Sequence, residues 1–147
     1  MVDVSNKETT LRTAVAGGEI TMNEQAFRAV IEGNIKKGDV FGAARIAGIL
    51  AAKKTSGLIP LCHTLVMEFC SIGFTPVEDS LTIKTRCTVK VTGKTGAEME
   101  ALTGAAVSLL TIYDMCKYLD RSIIIGNVRL MEKSGGKSGH YIYKEAQ

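Results

Sequence analysis

The sequence predicts an α+β fold in which one antiparallel sheet carries its helices on a single face. Residues 81 to 92 alternate apolar and polar side chains, as expected of a strand with one buried face. Residues 96 to 120 repeat apolar side chains every three or four positions, with no charge between Glu100 and Asp114, which indicates a largely buried helix. A length of 147 residues suits a single domain, residues 1 to 147, with one hydrophobic core.

The other elements follow in chain order. A weak strand signal covers residues 11 to 21, and Asn23 then begins a helix that stops at Gly33. Asp39 is an N-cap candidate for a second helix over residues 40 to 54. Further strands are predicted at residues 64 to 74, 123 to 131 and 140 to 144. Without an extra N-terminal helix and the short last strand, this order becomes βαββαβ, the ferredoxin-like arrangement.

Three finer patterns concern local structure. The strand at residues 64 to 74 changes its apolar phase near its middle, which predicts a β-bulge. Thr95 and Glu98 have the spacing of a capping box at the start of the long helix. The second helix is rich in small residues, among them Gly48, so another backbone can approach it closely, and we expect that backbone to belong to a second subunit.

Composition and charge limit the possible functions. The formal net charge is +3 and the isoelectric point is near 8.7, a basic excess too mild for a nucleic-acid-binding surface and suited to a small anionic ligand. The sequence shows no signal-peptide layout and no apolar run of membrane length, so we expect a cytoplasmic protein without nucleic-acid or membrane partners. Because no Cys-x-x-Cys pair occurs, we expect no structural metal and interpret the cysteines as buried thiols: Cys62, Cys70, Cys87 and Cys116.

Asp114 is the first candidate for chemistry. It lies near the C-terminal end of the long helix, where the helix dipole disfavours an anion, and Lys117 follows three residues later on the same face. The pair comes directly after an apolar run, so the proton affinity of Asp114 is open to tuning by partial burial. The alternative is a surface ion pair of small energetic value.

Further candidates surround the start of the long helix. Glu98 and Glu100 occupy its first turn, where they either interact with the helix dipole or serve a site. His63 ends an unusually apolar loop that begins at Ser56, and it is either a ligand-binding group or a core histidine bonded to the backbone. Residues 133 to 139 offer two lysines, two hydroxyls and backbone amides to a phosphate, although a mobile hairpin loop is the alternative.

Seven ordered motifs carry a resemblance to a known family. They are Met1-Val-Asp-Val-Ser5, Lys37-Gly-Asp-Val40, Ala43-Ala-Arg-Ile-Ala-Gly48, Ile59-Pro-Leu-Cys-His63, Thr92-Gly-Lys-Thr-Gly-Ala-Glu-Met-Glu-Ala-Leu-Thr103, Ile112-Tyr-Asp-Met-Cys-Lys117 and Lys133-Ser-Gly-Gly-Lys-Ser-Gly139. On these motifs, which extend over most of the sequence, the chain resembles the cyclic pyranopterin monophosphate synthases of molybdenum cofactor biosynthesis.

The resemblance implies a lyase that converts 3′,8-cyclo-7,8-dihydro-GTP to cyclic pyranopterin monophosphate and releases pyrophosphate. It implies no redox cofactor, although Mg2+ can accompany the triphosphate. By matching motif, it implies Asp114 as the acid/base aspartate, with Lys117 and Lys133 as further catalytic residues. It also implies a set of substrate-contacting residues, Leu61, Cys62, His63, Met99 and Glu100, with Lys37 and Arg12 as phosphate partners.

The resemblance further implies a homohexamer built as three dimers, with each site at a dimer interface. Apolar surface on two helices favours self-association as well, because one small sheet can cover only one stripe of each helix. We therefore expect His63 and Lys37 to act with Asp114 and Lys117 of the opposite chain. If Lys133 lies beside Lys117, each lowers the other's pKa, whereas a bound triphosphate raises both, and either effect can dominate. The residues alone leave two other functions open, a regulatory nucleotide-binding module and an assembly protein whose helices serve packing.

Overall fold

The computed structural model describes residues 1–144, which form one antiparallel sheet with helices on one face. Residues 145–147, the end of the predicted domain, lie outside the described residues. The strands are β1 (Thr10–Thr21), β2 (Met67–Val77), β3 (Thr82–Gly93), β4 (Ile124–Ser134) and β5 (Tyr141–Ile142). Their order across the sheet is β2-β3-β1-β4-β5, and each neighbouring pair is antiparallel. The first four strands have the ferredoxin-like order, so the predicted fold class is confirmed.

Four helices connect these strands. α1 (Glu24–Ile31), α2 (Val40–Lys53) and the single-turn α3 (Thr55–Leu58) lie between β1 and β2, and α4 (Glu98–Cys116) connects β3 to β4. Three helices therefore lie in the first crossover, where the ferredoxin-like arrangement has one, and which of them is the extra helix stays a prediction. No helix within residues 1–144 is both long enough and apolar enough to cross a membrane.

Side-chain caps fix where α1 and α2 begin. The Asn23 side chain accepts a hydrogen bond from the amide of Ala26 at 2.8 Å, and Asp39 accepts one from the amide of Gly42 at 2.9 Å, as the sequence predicts. The backbone amide of Asn23 donates a hydrogen bond to the carboxylate of Asp120 at 2.7 Å. Asp120 follows α4, so this bond ties the start of α1 to the far end of the long helix.

The start of α4 differs from the prediction. Thr95 and Glu98 do not form a capping box, because α4 begins after Ala97 without a hydrogen bond from a capping side chain. The Glu98 carboxylate instead accepts a hydrogen bond from Lys133 at 2.8 Å. Because the Lys133 ammonium carries a full positive charge, the Glu98 carboxylate gains an ion pair as well as a hydrogen bond. The first turn of α4 is thereby joined to β4.

The strand patterns are confirmed in β2 and β3. Met67 pairs with Val91 and Phe69 with Lys90, so Glu68 is left over in β2 and forms the predicted bulge. In β3 the buried apolar residues alternate with exposed ones, as the sequence predicts. The buried set is Ile83, Cys87, Val89 and Val91.

The core lies between α4 and the sheet, and α2 packs beside α4. The inward residues Ala101, Ala105 and Leu109 of α4 are completely buried. A Cβ atom added to Gly48 of α2 would lie 2.7 Å from the carbonyl oxygen of Gly104 in α4. The close approach predicted for α2 is therefore made at Gly48 to a helix of the same chain, because the two helices share one face of a single sheet.

Candidate active site

A carboxylate held between two ammonium groups marks the C-terminal end of α4. One carboxylate oxygen of Asp114 lies 2.7 Å from Nζ of Lys117, and the other lies 2.6 Å from Nζ of Lys37. Lys37, in the turn before α2, also donates to the backbone carbonyl of Asp114 at 3.0 Å. The expectation that Lys37 meets Asp114 of the opposite chain is wrong, because the packing of α2 beside α4 brings these two residues together within one chain.

The charges in this cluster shift each other's proton affinities. Hydrogen bonds from Lys117 and then Lys37 lower the pKa of Asp114 to about 2, and the Asp114 carboxylate raises the pKa of Lys117. About half of each side chain is exposed to solvent, so these ion pairs contribute little to stability. Folding energetics alone therefore give little reason to place two lysines on one carboxylate.

A cavity of about 290 Å³ lies at the other end of α4, beside its first turn. Glu100 is 5% exposed, and burial, with a smaller contribution from Glu98, raises its pKa. Burial also raises the pKa of the Cys62 thiol. The five residues that the resemblance implies as substrate contacts all line this cavity: Leu61, Cys62, His63, Met99 and Glu100.

Lys133 and Arg12 lie close to the same first turn of α4. Nζ of Lys133 is 2.8 Å from the Glu98 carboxylate. Burial is the largest influence on the Glu98 carboxyl and raises its pKa, but the hydrogen bonds from Lys133 and from the backbone amide of Glu98, together with the positive charges of Lys133 and Arg12, outweigh it in sum, so the pKa lies below its usual value. Arg12 donates through Nε to the carbonyl of Gly93 at 3.0 Å and through Nη2 to that of Lys94 at 3.3 Å. Arg12, Glu98 and Lys133 line one cleft together with the loop that follows β4.

A second cavity, of about 480 Å³, also includes Arg12 in its lining. Lys7 and Lys137 line it as well, together with Glu8, so three cationic residues and one acidic residue line one space. The loop after β4 contributes Gly136 to the lining, and its φ of 74° is a left-handed conformation that glycine adopts without strain. The arrangement suits a phosphate group, so the structure is compatible with the predicted phosphate loop, and phosphate binding itself stays a prediction.

Within one chain, the predicted site residues fall into two groups that α4 separates. Asp114 follows Met99 by fifteen positions in the same helix, which corresponds to about 22 Å at 1.5 Å per residue. Lys117 and Lys133, whose proximity would change both pKa values, do not lie close together within one chain. Lys133 pairs with Glu98 in the first turn of α4, whereas Lys117 pairs with Asp114 at the last turn.

Sequence reasoning missed two lysines that belong to this region. Lys7 lines the second cavity, and Lys94 donates from Nζ to the backbone carbonyl of Ser5 at 2.8 Å. The sequence could have indicated both lysines as site candidates. Lys7 lies two residues after the motif that ends at Ser5, and Lys94 lies inside the motif that begins at Thr92. Their positions beside matched motifs would have singled them out from the other lysines.

The fold and these two groups define the class of the protein: a ferredoxin-like α+β domain with a candidate site for an anionic small molecule. A family model described as the MoaC family matches residues 1–136. The chain belongs to the MoaC family, and the resemblance drawn from its motifs is confirmed.

Similar proteins named cyclic pyranopterin monophosphate synthase match almost the whole chain. The protein from Clostridium botulinum (strain Alaska E43 / Type E3) is 54% identical over 142 residues, which cover 97% of this chain and 89% of the relative. The protein from Heliobacterium modesticaldum is 54% identical over 145 residues, 99% of this chain and 91% of the relative. The protein from Pelobacter propionicus is 52% identical over 147 residues, 100% of this chain and 92% of the relative.

Proposed function

We propose that this chain is a lyase of molybdenum cofactor biosynthesis that converts 3′,8-cyclo-7,8-dihydro-GTP to cyclic pyranopterin monophosphate and releases pyrophosphate. Membership of the MoaC family and the names of its relatives support this function. In the structure, the observation that carries the proposal is the Asp114 carboxylate held between Lys37 and Lys117. Such an exposed cluster adds little to stability but places an acid/base pair and a further cation within reach of a ligand.

We propose that each complete site combines two chains. The two groups of residues lie about 22 Å apart on one α4, which is too far for one small substrate to touch both. A second copy of the chain can bring the C-terminal end of its own α4 to the cavity of the first. Exposed apolar side chains on α2 and α4 offer a surface for this contact, each at least 50% exposed: Ile46, Leu50 and Leu110. Three such dimers form the expected homohexamer.

The substrate is proposed to divide between the cavity and the cationic residues. The 290 Å³ cavity approaches the size of small-molecule sites, about 300–1,000 Å³, and would hold the purine-derived ring against Leu61, Cys62, His63 and Met99. The triphosphate would lie toward Arg12, Lys133 and the loop after β4, where the cations are concentrated. Lys37 would reach it from the chain that supplies Asp114.

Proton transfer is assigned to groups whose proton affinities differ. Asp114, with a pKa of about 2, is a carboxylate at neutral pH, and Lys117 beside it is an ammonium group. Lys117 can therefore donate a proton to the substrate. Asp114 orients the Lys117 ammonium group and takes part in returning a proton to Lys117. Glu100, whose pKa is raised by burial, is a second carboxyl group suited to exchange protons inside the cavity.

The phosphate chemistry sets a further requirement on the site. Release of pyrophosphate breaks the bond between the α-phosphorus and its bridging oxygen. A hydroxyl of the substrate forms the new bond to that phosphorus and gives up its proton, so a base must stand near it. The leaving pyrophosphate gains negative charge, which Arg12, Lys133 and the other cations can offset.

We propose that the reaction uses no redox cofactor, and that Mg2+, where it is present, arrives with the triphosphate as part of the substrate. Among the side chains of residues 1–144, no three of the types His, Cys, Asp or Glu are grouped so that they could hold a metal ion. We also propose a cytoplasmic location, because GTP and compounds made from it are available there.

The test supplies 3′,8-cyclo-7,8-dihydro-GTP to the purified protein and measures released pyrophosphate. Asp114→Asn should lose turnover and keep its fold, because the exposed cluster adds little to stability. Asp79→Asn is a matched control, since Asp79 is an exposed aspartate in the turn between β2 and β3 and belongs to neither group. Near-native pyrophosphate release by Asp114→Asn would show that the acid/base role is wrong. Nucleotide binding without any pyrophosphate release by the unmodified protein would favour the regulatory module.

A further inference from the structure

The first seven residues, which we name the N-terminal strap, lie against the cavity at the start of α4. The backbone carbonyl of Val2 is 2.9 Å from Nε2 of His63. Further along, the backbone carbonyl of Ser5 accepts a hydrogen bond from Nζ of Lys94 at 2.8 Å. The strap is therefore attached at two points to the protein, and no role assigned above uses either attachment.

The strap has a shape of its own. The Asp3 carboxylate accepts hydrogen bonds from the amide and the hydroxyl of Ser5, at 2.8 Å and 2.6 Å. The amide of Lys7 donates to the carbonyl of Val4 at 3.0 Å. These bonds form a turn, which limits the positions that the Val2 carbonyl can take once Ser5 is anchored.

The strap also connects two loops that line the cavity. His63 belongs to the loop before β2, and Lys94 directly precedes Thr95 and Gly96, which line the same cavity. Arg12 holds this second loop through the carbonyl of Lys94. A strap that spans both loops can therefore relate the position of His63 to the first turn of α4.

The bond to Val2 determines which nitrogen of His63 carries the proton. A backbone carbonyl can only accept a hydrogen bond, so Nε2 of His63 must be the donor. In the neutral imidazole, the proton then resides on Nε2, and Nδ1 keeps its lone pair. A ring held in this way offers a hydrogen-bond acceptor from a defined direction.

We propose that the N-terminal strap is a positioning element for His63: the Val2 carbonyl holds the imidazole as its Nε2–H tautomer and leaves Nδ1 to accept a hydrogen bond from a donor group of the substrate. The inference rests on the proposed function for the identity of the substrate. The state of the ring itself can be measured without turnover, so the two proposals can fail separately.

The first measurement is nuclear magnetic resonance of full-length protein labelled with ¹⁵N-histidine. The chain has two histidines, and His140→Gln assigns the remaining signals to His63. In the unmodified protein the ¹⁵N shifts should show protonated Nε2 and unprotonated Nδ1, with slow exchange of the Nε2 proton. A variant that lacks residues 2–4 should show a mixture of tautomers and fast proton exchange. Val2→Ala keeps the carbonyl, so its spectrum should match that of the unmodified protein.

A milder variant covers the case in which the shortened chain fails to fold. Lys94→Met removes the anchor of Ser5 and leaves residues 2–4 in place, so it should produce the same spectral change to a smaller extent. Unchanged His63 shifts and exchange in both variants would overturn the proposal. A spectral change in Val2→Ala as large as that in the shortened chain would also overturn it, because the side chain rather than the carbonyl would then be responsible.

The second measurement is kinetic. The variant that lacks residues 2–4 should lose about tenfold in kcat/KM for pyrophosphate release, by analogy with the loss of hydrogen-bond partners that orient metal-bound histidines. The loss should fall mainly on kcat, since the cavity lining and the cations remain. Wild-type kcat/KM in a variant whose His63 spectrum has changed would show that the strap does not position His63 for this reaction. Absence of turnover in the unmodified protein would instead count against the proposed function and leave the spectral result intact.

Discussion

Mixing His63→Ala protein with Asp114→Ala protein tests whether one site draws on two chains. Each variant alone lacks one required group in every site. In a mixed dimer, one of the two sites has lost both groups, whereas the other keeps His63 from one chain and Asp114 from the second. Random exchange at equal concentrations makes half of the dimers mixed, so we expect about a quarter of the unmodified protein's pyrophosphate release.

The expected magnitude depends on the geometry of α4. His63 lies at the cavity beside the first turn of this helix, whereas Asp114 lies in its last turn. The separation of about 22 Å prevents one small molecule from touching both groups within one chain. If a single chain did supply both groups, every site in the mixture would lack one of them, and pyrophosphate release would stay at background.

A second pair of variants provides the control. Lys37 and Asp114 are 2.6 Å apart in one chain, so Lys37→Ala and Asp114→Ala damage the same group of residues. In their mixed dimers each site has lost either Lys37 or Asp114, and no site is complete. Subunit exchange would be followed by native mass spectrometry. Confirmed exchange with background activity in the His63 and Asp114 mixture would refute the two-chain site, and recovery in the control mixture would refute the placement of Lys37.

Three further predictions concern packing, charge and the loop after β4. Gly48→Ala should lower the free energy of unfolding in urea by about 1–3 kcal/mol, because its Cβ would lie 2.7 Å from the Gly104 carbonyl oxygen. Gly57→Ala, which meets no atom within 4 Å, should cost almost nothing, and equal losses in the two variants would contradict the packing argument. The raised pKa of Glu100 means that the folded protein loses stability as pH rises past the usual carboxyl range, so Glu100→Gln should be the more stable protein at about pH 8 and not at about pH 4. If the difference in unfolding free energy between Glu100→Gln and the unmodified protein is the same at both pH values, Glu100 does not cause the pH dependence of stability. Trypsin should cut the loop at residues 134 to 139 more slowly when substrate is bound, and equal cleavage rates would count against a loop that closes on phosphate.

Periodicity predicts those elements of the fold that have one buried face. The alternation in β3 and the three- and four-residue repeats in α4 both result from packing against the same core. Each pattern is local, so each element can be predicted from its own residues alone. The caps at Asn23 and Asp39 are predictable for a related reason, because each bonds to an amide only three residues away. The cavity residues form two short runs in the sequence, one around the loop that ends at His63 and one around the first turn of α4, and the tertiary structure brings the two runs together.

The partners that the sequence did not predict are distant in the chain. Lys37 reaches Asp114 across 77 positions because α2 packs beside α4, which no local spacing encodes. Glu98 has the spacing of a capping residue, but its carboxylate pairs with Lys133 from β4, 35 positions away in the sequence. Local patterns and the family resemblance therefore named the candidate residues, while their grouping required the tertiary structure.

The tight seating of α4 has a consequence for mutations far from either group. A Cβ on Gly104, midway along the helix, would lie 2.8 Å from the sulfur of Cys87 in β3, so the helix has little room to move relative to the sheet. Because α4 is rigid, a substitution at its middle that tilts or slides it displaces Asp114 at one end and Glu100 at the other together. The central turns of α4 thus act as a spacer between the two groups. The packing of the small residues in these turns is therefore a geometric condition for the placement of both groups.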